Sequence, residues 1–283
     1  MFDVSHPEIR EAVRRALEED IGTGDLTTVL CVPPGRSAAG RFIAREPMVV
    51  AGVELLAPIY HQLGGVAGLE IEKPSGASAI AGDSVARVRG PARTLLSAER
   101  VALNFLQRLS GIATLGRRFV DAARGTRCRI LDTRKTTPGL RRLEKMAAAA
   151  GGVVNHRMGL FDAVLIKNNH IAAAGGVARA IERARAAEPV EIEVRTLDEL
   201  EEALRAGAAR LLLDNLSPTQ ARQWILAAGG RAVIELSGGI TLENVRDYAE
   251  TGADFLSCGA ITHSAPAADL NFRLELEPDA TGS

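Results

Sequence analysis

The stretch VEIEVRTLDELEEALRAGAARLLLDN (190–215) contains one complete repeat of strand, helix and strand. Its two short apolar runs, at 190–194 and 210–213, flank a segment in which Leu and Ala recur with helical spacing. Parallel strands need a crossover connection between them, usually a helix. The repeat therefore predicts a parallel β/α arrangement for this part of the chain.

The same alternation runs through the second half of the chain. Six short apolar runs predict strands at 128–131, 163–166, 190–194, 210–213, 232–236 and 254–258. Polar residues follow these runs, which favours a barrel, because the ends of barrel strands converge on one mouth where active sites lie. A doubly wound sheet is the alternative, although no GxGxxG motif follows a predicted strand.

The first half of the chain has a different pattern. Residues 6–19 place apolar side chains on one helical face, and short β-like pieces separated by Gly and Pro run from 36 to 93. A second helical pattern begins at Ser97, and Gly111 interrupts its apolar stripe. We therefore predict a small β-rich unit and place a domain boundary near Gly111.

Net charge and composition exclude several classes of protein. The 283 residues carry a formal net charge of −1 and only 4% are aromatic, which argues against nucleic-acid binding through bulk positive charge or base stacking. Apolar runs are far shorter than the ~20 residues of a membrane span, and no signal-peptide core is visible. Three separated cysteines form no disulfide framework or CxxC metal clip. We expect a cytoplasmic protein without nucleic-acid or membrane partners.

The small net charge conceals two oppositely charged segments. Residues 134–167 contain seven basic and two acidic residues, whereas 182–204 contain eight acidic and three basic residues. Arg141, Arg142 and Lys145 lie on a helical pattern and are typical of a solvated helix face. Five other charged residues follow or end predicted strands, namely Arg134, Lys135, Lys167, Glu193 and Asp214. Burying a charge there costs free energy unless the charged group is paired or has a function such as binding a ligand. We interpret these five as functional, with a structural ring of ion pairs as the alternative.

The cations and two small-residue loops predict a pocket for a multiply anionic small molecule. Arg offers a planar fork for carboxylate or phosphate, and Lys supplies a point charge. Ser237-Gly238-Gly239 follows a predicted strand and precedes a helix that opens near Thr241, so its backbone N–H groups can approach a phosphate. Gly259-Ala260 is a second loop of the same kind.

A resemblance to the quinolinate phosphoribosyltransferases, also called nicotinate-nucleotide pyrophosphorylases (carboxylating), rests on DTRKTTPGLRRLEKMAAAAGGVVNHRMGLFDAVLIKNNHI (132–171). It extends over nearly the whole chain through EDIGTGDLTT, SAERVALNFLQRLSGIAT, EIEVRTLDEL, LLLDN, ELSGGI and ETGADFLSCGAITHS. The resemblance implies an N-terminal α/β sandwich domain at 1–112, to which 269–283 would return, and an open, incomplete α/β barrel at 113–268.

The resemblance also implies a reaction. Quinolinate would be joined to the ribose of phosphoribosyl pyrophosphate, giving nicotinate mononucleotide, pyrophosphate and carbon dioxide in NAD biosynthesis. The ring nitrogen would attack as pyrophosphate leaves, and the resulting pyridinium would let the adjacent carboxylate depart. No nucleophilic side chain is required, so Cys258 is interpreted as a packing residue.

The family resemblance assigns the quinolinate ligands. Arg134, His156 and Arg157 would hold the pyridine dicarboxylate, with Thr133 in the same substrate site. Lys135 and Lys167 would lie beside the dicarboxylate and the pyrophosphate. The family builds each site across a homodimer, so Arg100 would come from the partner subunit, and dimers could assemble further into a hexamer.

Ribose and phosphate ligands follow from the same resemblance. Glu193 and Asp214 would face the ribose and, together with Lys135, form the expected catalytic set. Mg²⁺ would bridge ribose hydroxyls and pyrophosphate oxygens near these carboxylates, without a predicted direct protein ligand. The 5′-phosphate would lie in the loops Ser237-Gly238-Gly239 and Cys258-Gly259-Ala260.

Two other functions are alternatives. Nicotinate phosphoribosyltransferases and the ModD proteins of molybdenum-transport operons share parts of the barrel, but Arg134 and the pair His156-Arg157 favour a dicarboxylate. A non-catalytic ligand sensor would need a broken set of site residues, and here the set is intact. Arg195 places a cation near the expected ribose pocket, and His170 is left open between a site residue and a structural one.

Overall fold

The computed structural model describes residues 3–187 and 189–276. Its strands are β1 (Ser37–Ala44), β2 (Met48–Val49), β3 (Gly68–Ile71), β4 (Ser78–Ala79), β5 (Ser84–Pro91), β6 (Arg129–Leu131), β7 (Val164–Ile166), β8 (Val190–Val194), β9 (Arg210–Asp214), β10 (Val233–Ser237), β11 (Phe255–Ser257) and β12 (Leu270–Leu276). Its α-helices are α1 (Pro7–Ile21), α2 (Leu26–Cys31), α3 (Leu56–Gln62), α4 (Ala92–Ala122), α5 (Arg141–Ala150), α6 (Asn168–Ala174), α7 (Val177–Ala184), α8 (Leu197–Arg205), α9 (Pro218–Ala228), α10 (Val245–Ala249) and α11 (Ala260–His263). None of these helices is long and apolar enough to cross a membrane.

The chain divides into two compact units. The N-terminal unit comprises residues up to 117, 137–152 and the residues from 265 onward, and the barrel unit comprises 118–136 and 153–264. Helix α5 belongs to the N-terminal unit, whereas the boundaries expected from the resemblance put it in the barrel domain. The boundaries at 112 and 268 stay predictions. The composition of the last segment, EPDATGS (277–283), predicts disorder, and these residues lie outside the described ones.

An antiparallel sheet with the strand order β12-β1-β5-β3 organises the N-terminal unit. Buried and more exposed residues alternate along β1, since successive side chains point to opposite faces of a sheet. The buried face carries Phe42, whose ring centroid lies 4.7 Å from that of Phe272 on β12. Buried residues of α1 and α3, Ile9 and Tyr60 among them, contribute to the core. The predicted α/β class of this part is confirmed.

Helix α5 is not the solvated charged face that its sequence predicts. Lys145 is buried with an exposed fraction of 1%, and Arg142 pairs with Glu8 of α1 at 3.0 Å. Glu144 is fully buried and pairs with Arg108 of α4 at 2.8 Å. Arg142 and Glu144 thus pair with two other helices of the same unit, and the prediction of a solvated charged face is wrong for Lys145 and Arg142.

Helix α4 continues through Gly111, where glycine interrupts the apolar stripe, and on through the segment TLGRRFVDAA, which the sequence also predicts to be helical. A Cβ atom at Gly111 would overlap the carbonyl oxygen of Pro266, which belongs to the same unit. Glycine stands here because another backbone segment approaches the helix closely. The sequence alone does not show this contact.

A parallel sheet with the strand order β6-β11-β10-β9-β8-β7 organises the barrel unit. Its strands coincide with the six predicted runs, so the predicted β/α alternation is confirmed. Strands β6 and β7 follow one another along the chain, yet they lie at opposite edges of the sheet. The barrel is therefore open between them, as the resemblance implies.

Substitution Gly111→Ala tests whether close packing selects glycine at this position. Alanine has a helix propensity better by about 1 kcal/mol, but its Cβ would overlap the Pro266 carbonyl oxygen, and overpacking costs about 1–3 kcal/mol. We expect the midpoint of thermal unfolding to fall. Asn104→Ala, at an exposed position of the same helix, should leave the midpoint unchanged or raise it. A raised midpoint for Gly111→Ala would contradict the close approach.

Candidate active site

A cleft of about 640 Å³ opens at the carboxyl ends of the barrel strands. Parallel strands share one edge at these ends, so side chains from distant segments meet there. The expected site residues that line the cleft are Thr133, Arg134, Lys135, His156, Arg157, Lys167, Glu193, Asp214, Ser237, Gly238, Gly239, Gly259 and Ala260. The structure brings these residues together, while their individual roles stay predictions.

Two expected site residues do not line this cleft. Cys258 is buried with 1% of its surface exposed, and its Sγ lies 3.8 Å from the carbonyl oxygen of Leu256. Burial raises the pKa of the thiol, which suits a packing residue rather than a reactive one. Arg100 lies on α4 and is exposed in the N-terminal unit, so its expected role in a partner's site stays a prediction.

The buried carboxylate of Asp132 fixes the segment that carries His156. Its Oδ2 accepts a hydrogen bond from Asn155 Nδ2 at 2.6 Å, and its Oδ1 accepts one from the backbone N–H of His156 at 2.7 Å. Asp132 directly follows β6 and has no exposed surface. The end of β6 therefore determines where the next segment begins. In the sequence, Asp132 is recognisable only as a polar residue that follows a predicted strand.

The loop that carries Lys135 is held by neutral partners. Thr133 Oγ1 accepts from the Lys135 backbone N–H at 3.0 Å, and the Lys135 carbonyl oxygen accepts from Thr262 Oγ1 at 2.8 Å. A Cβ atom at Gly259 would lie 3.0 Å from Lys135 Cδ, so glycine leaves room for the lysine stem. The exposed ammonium group of Lys135 thus remains free to meet a ligand at the cleft.

Arg134 and Arg157 present two guanidinium groups to the same cleft. Burial, together with the neighbouring charge of Arg134, lowers the pKa of Arg157. Nη1 of Arg157 donates to the carbonyl oxygen of Ala163 at 3.0 Å, which anchors the side chain without neutralising it. Two like charges held in one cleft form a site for an anion, since a bound anion relieves their repulsion.

Glu193 is a buried carboxylate on β8 that an amide holds in place. Its Oε1 accepts a hydrogen bond from Asn168 Nδ2 at 2.6 Å. Nη2 of the exposed Arg195 lies 3.9 Å from the same oxygen, so the cation expected near this pocket stands beside Glu193. The amide donor orients the carboxylate and leaves its negative charge in place.

Asp214 is the last residue of β9, and the loop that follows it contacts the loop after β10 so closely that a glycine is needed there. Its Oδ2 accepts from Asn215 Nδ2 at 2.6 Å, and the Asn215 backbone N–H donates to the carbonyl oxygen of Ser237 at 2.8 Å. Asn215 has a φ of 59°, a left-handed conformation that Asn tolerates. Gly238 has a φ of 94°, and a Cβ atom there would overlap Asn215 Oδ1. The loops after β9 and β10 are therefore fitted to each other.

His170 has a structural contact at the start of α6. Its imidazole Nδ1 accepts a hydrogen bond from the Lys167 backbone N–H at 2.9 Å. The backbone N–H of His170 in turn donates to the Lys167 carbonyl oxygen at 2.8 Å. These two bonds close a turn at Lys167, whose side chain is exposed at the cleft. His170 thus fixes the backbone that carries the cation.

His156 lines the cleft together with Glu235, which belongs to a group of buried charged side chains. Its Nδ1 accepts a hydrogen bond from the backbone N–H of Arg157 at 2.7 Å. Its Nε2 lies 3.4 Å from Glu235 Oε1 and 3.6 Å from Glu191 Oε2. Arg210 places guanidinium nitrogens 3.8 Å from each of these carboxylates. We call Glu191, Arg210 and Glu235 the buried cluster.

The two carboxylates of the buried cluster titrate differently. Burial, reinforced by the charge of Glu235, raises the pKa of Glu191 to about 7. Although burial opposes it, hydrogen bonds from His156 and Ser257 hold the pKa of Glu235 below its usual range. Adjacent carboxylates do not both ionise easily, so near neutral pH Glu235 carries a charge and Glu191 is partly protonated.

His156, Glu191 and Glu235 have the spacing of a metal site, since their ligand atoms all lie within 4.8 Å of one another. Their hydrogen bonds argue against this use. Nδ1 of His156 accepts from a backbone N–H, so the ring hydrogen is on Nε2. In this tautomer Nε2 has no lone pair to offer a metal ion.

The buried cluster was missed in the sequence, although a signal for it is present. Glu191 and Glu193 are two residues apart in VEIEV, so they point to the same face of β8. Glu235 lies in register with Leu212, which in turn lies in register with Glu193. Charges counted along the chain do not show which face of a strand each residue occupies, whereas the period-two alternation does.

Two family models match the chain in succession. One, described as "Quinolinate phosphoribosyl transferase, N-terminal domain", matches residues 25–110, and the other, described as "Quinolinate phosphoribosyl transferase, C-terminal domain", matches residues 112–273. Together the matches cover most of the chain.

Individual proteins show the same relationship. The chain is 42% identical to the nicotinate-nucleotide pyrophosphorylase (carboxylating) of Mycobacterium leprae, over 97% of this chain and 100% of that protein. It is 38% identical to the probable nicotinate-nucleotide pyrophosphorylase (carboxylating) of Bacillus subtilis, over 98% of this chain and 97% of that protein. The structure of the nicotinate-nucleotide pyrophosphorylase from Francisella tularensis matches with a TM-score of 0.91 at 37% identity, over 95% of this chain and 98% of that one.

Substitution Gly238→Ala tests whether the loops after β9 and β10 are fitted to each other. A side chain in the left-handed region costs about 1–2 kcal/mol, and overlap with Asn215 adds to this cost. Gly239→Ala is the matched control, because Gly239 has a φ of 63° but no atom within 4 Å of an added Cβ. We expect a larger fall in the thermal midpoint for Gly238→Ala.

The double variant Asn215→Gly with Gly238→Ala separates overlap from backbone strain. It should recover part of the midpoint lost by Gly238→Ala, because the overlapping side-chain amide is gone. The recovery is partial because the backbone nitrogen of residue 215 still lies 2.8 Å from the added Cβ. Equal effects of the two alanine substitutions, or no recovery in the double variant, would contradict the fitted loops.

Proposed function

We propose, because the chain belongs to the quinolinate phosphoribosyl transferase family, that it transfers the phosphoribosyl group of phosphoribosyl pyrophosphate to quinolinate with decarboxylation. The products are nicotinate mononucleotide, pyrophosphate and carbon dioxide, in a step of NAD biosynthesis. One observation carries the proposal. One cleft is lined both by cations that suit a dicarboxylate and pyrophosphate, namely Arg134, Lys135, Arg157 and Lys167, and by carboxylates that suit a ribose, namely Glu193 and Asp214.

The two arginines suit the two adjacent carboxylates of quinolinate. Arg134 and Arg157 face one cleft and repel each other, and the charge of Arg134 contributes to the lowered pKa of Arg157. Quinolinate carries two negative charges and can offset the charge of both arginines, whereas nicotinate, with one carboxylate, offsets less of it. The guanidinium fork also matches a carboxylate in two parallel hydrogen bonds. The pair therefore favours quinolinate over nicotinate.

The carboxylates of Glu193 and Asp214 suit the ribose. Asn168 orients one carboxylate and Asn215 orients the other, and neither amide neutralises its partner. Positive charge develops at the anomeric carbon as pyrophosphate leaves, and fixed negative charges stabilise that state. Glu193 and Asp214 are thus proposed as catalytic, together with Lys135, which faces the departing pyrophosphate.

Phosphate groups are assigned to the lysines and to two glycine loops. Lys135 and Lys167 present exposed ammonium groups at the cleft. The loops Ser237-Gly238-Gly239 and Cys258-Gly259-Ala260 lack large side chains, so the 5′-phosphate can reach their backbone N–H groups. Cys258 contributes its backbone only, because its side chain is buried.

The chemistry needs bond changes only in the substrates. The ring nitrogen of quinolinate bonds to the anomeric carbon while the bond to pyrophosphate breaks, and pyrophosphate takes the electron pair. The bond to the carboxylate next to the pyridinium nitrogen then breaks, carbon dioxide leaves and the ring carbon takes up a proton. Positioning and electrostatics support these steps without a nucleophilic side chain.

Mg²⁺ is the cofactor that we propose. The carboxylates of Glu193 and Asp214 provide oxygen atoms at the cleft, and oxygen is the ligand that Mg²⁺ prefers. When bound, it would supply positive charge that stabilises the pyrophosphate leaving group. Glu193 and Asp214 are the carboxylates near which it would be held.

We also propose a homodimer in which Arg100 completes the site of the partner subunit. Arg100 is exposed on α4, which leaves its guanidinium accessible to another chain. A cytoplasmic location is proposed because all three cysteines are free, as is typical of a reducing compartment.

Turnover by the purified protein tests the function. With phosphoribosyl pyrophosphate and Mg²⁺, we expect carbon dioxide release that depends on quinolinate, little product from nicotinate, and loss of activity on chelation that added Mg²⁺ restores. Arg134→Ala or Arg157→Ala should raise the KM for quinolinate about 10- to 100-fold, the loss of a charged hydrogen bond worth about 1.5–3 kcal/mol.

The matched control for these arginine variants is Arg205→Ala, an exposed arginine of α8 outside the cleft, which should leave the KM unchanged. Two results count against the proposal. Turnover of nicotinate in preference to quinolinate contradicts the substrate, and parent-like KM values for both cleft variants contradict the site.

Mixed dimers test the shared site. Arg100→Ala and Lys167→Ala should each be inactive as homodimers. Mixing the two should restore part of the activity, because one of the two sites in a mixed dimer then has both residues intact. Absence of activity in mixed dimers verified by mass spectrometry would argue that each site lies within one chain.

A further inference from the structure

The buried cluster has no place in the transfer chemistry itself. Glu191 and Glu235 have exposed fractions of 5% and 2%, and the guanidinium of Arg210 lies near both carboxylates. Inner positions of an α/β barrel are usually filled by branched apolar side chains. Replacing a buried ionic group by apolar residues is often neutral or stabilising. Stability alone therefore does not account for this cluster.

The hydrogen bonds of the cluster are directed toward the cleft. Glu191 Oε1, Glu235 Oε2 and Arg210 Nε are buried without a hydrogen-bond partner among the described residues. The groups aimed at Glu235 are instead the Ser257 hydroxyl and Nε2 of His156. Glu235 itself, Ser257 and His156 all line the cleft. Of these three, His156 also accepts a hydrogen bond from the backbone N–H of Arg157, an expected quinolinate ligand, so the imidazole links the cluster to that ligand.

His156 is held from two sides. Its backbone N–H donates to Asp132 Oδ1 at 2.7 Å, and its Nδ1 accepts the Arg157 backbone N–H at 2.7 Å. Nδ1 can accept only while the ring hydrogen is on Nε2, which faces the two carboxylates. Negative charge beside Nε2 favours a hydrogen at that position. The carboxylates therefore select the tautomer that fixes the Arg157 backbone.

We propose that Glu191 and Glu235 are positioning residues for quinolinate binding. They hold His156 in the tautomer and ring orientation that fix the backbone of Arg157, and Arg157 presents its guanidinium to the substrate. Arg210 balances their charge, so the carboxylates do not repel a dianion in the cleft above. This inference rests on the proposed function, because quinolinate is the anion that Arg157 would bind.

Two substitutions at Glu235 test the hydrogen-bond role. Leu removes the acceptor for Nε2–H, whereas Gln keeps one oxygen in nearly the same place. We expect Glu235→Leu to raise the KM for quinolinate by up to about 10²-fold, since a small misplacement of a binding group can cost this much. Glu235→Gln should rescue most of the loss. The KM for phosphoribosyl pyrophosphate and the kcat at saturating quinolinate should stay near the parent values.

Ile192→Val is the matched control for a general loosening of the sheet. Ile192 is fully buried on β8. Because it is adjacent to Glu191 in the strand, its side chain points to the opposite face. Its substitution should lower the thermal midpoint and leave the KM for quinolinate unchanged. A rise of this KM equal to that in Glu235→Leu would show that the cluster acts through stability, which would overturn the proposal.

The tautomer of His156 gives a second readout, which does not depend on Glu235→Leu folding well. Nitrogen-15 chemical shifts of the ring report which nitrogen carries the hydrogen. We expect it on Nε2 in the parent and in Glu235→Gln, and a mixture of both tautomers in Glu235→Leu. A parent protein with the hydrogen on Nδ1 would overturn the proposal.

Turnover of quinolinate by the parent protein distinguishes an error in the positioning role from an error in the proposed function. If the parent turns over quinolinate and folded Glu235→Leu keeps its KM, the positioning role is wrong and the function stands. If the parent turns over no quinolinate, the function itself is wrong.

Discussion

All strands of the barrel unit run in the same direction, and the site depends on this constraint. Each strand delivers its last side chains to one edge, so segments far apart in the chain supply one cleft. Arg134 follows β6, Glu193 lies near the end of β8 and Asp214 ends β9. The opening between β6 and β7 leaves room for the segment with His156 and Arg157, which Asp132 ties back to the sheet.

Cations and carboxylates line the same cleft, and small neutral partners hold several of them in place. Glu193 is held by the amide of Asn168, Asp214 by that of Asn215, and Arg157 by the carbonyl oxygen of Ala163. Glu193 in addition has the exposed Arg195 guanidinium 3.9 Å from its Oε1. A neutral partner fixes a charged group without cancelling its charge, whereas an ion pair would do both. The charges are thus preorganised for a ligand that carries both signs in its transition state, which is what a phosphoribosyl transfer presents.

Much of the fold and the cleft can be predicted from the sequence, because period-two and helical spacing are local signals. The six barrel strands and the charges at their ends are examples. The reason for glycine at position 111 and the buried cluster were not predicted, and the prediction for Lys145 was wrong. The carbonyl oxygen of Pro266, far away in the sequence, leaves no room for a Cβ atom at position 111. Lys145 is buried because α5 packs in the N-terminal unit. Glu235 and His156 are brought together only by the tertiary structure. Each depends on a contact that no local pattern contains.

A crystal structure of the protein with quinolinate would show whether the two arginines of the cleft bind the dicarboxylate. We expect carboxylate oxygens of quinolinate within about 3.2 Å of guanidinium nitrogens of Arg134 and Arg157. We also expect Nδ1 of His156 to accept the Arg157 backbone N–H in the complex. Quinolinate bound outside the cleft, or bound by His156 with Arg157 turned away, would disprove this arrangement.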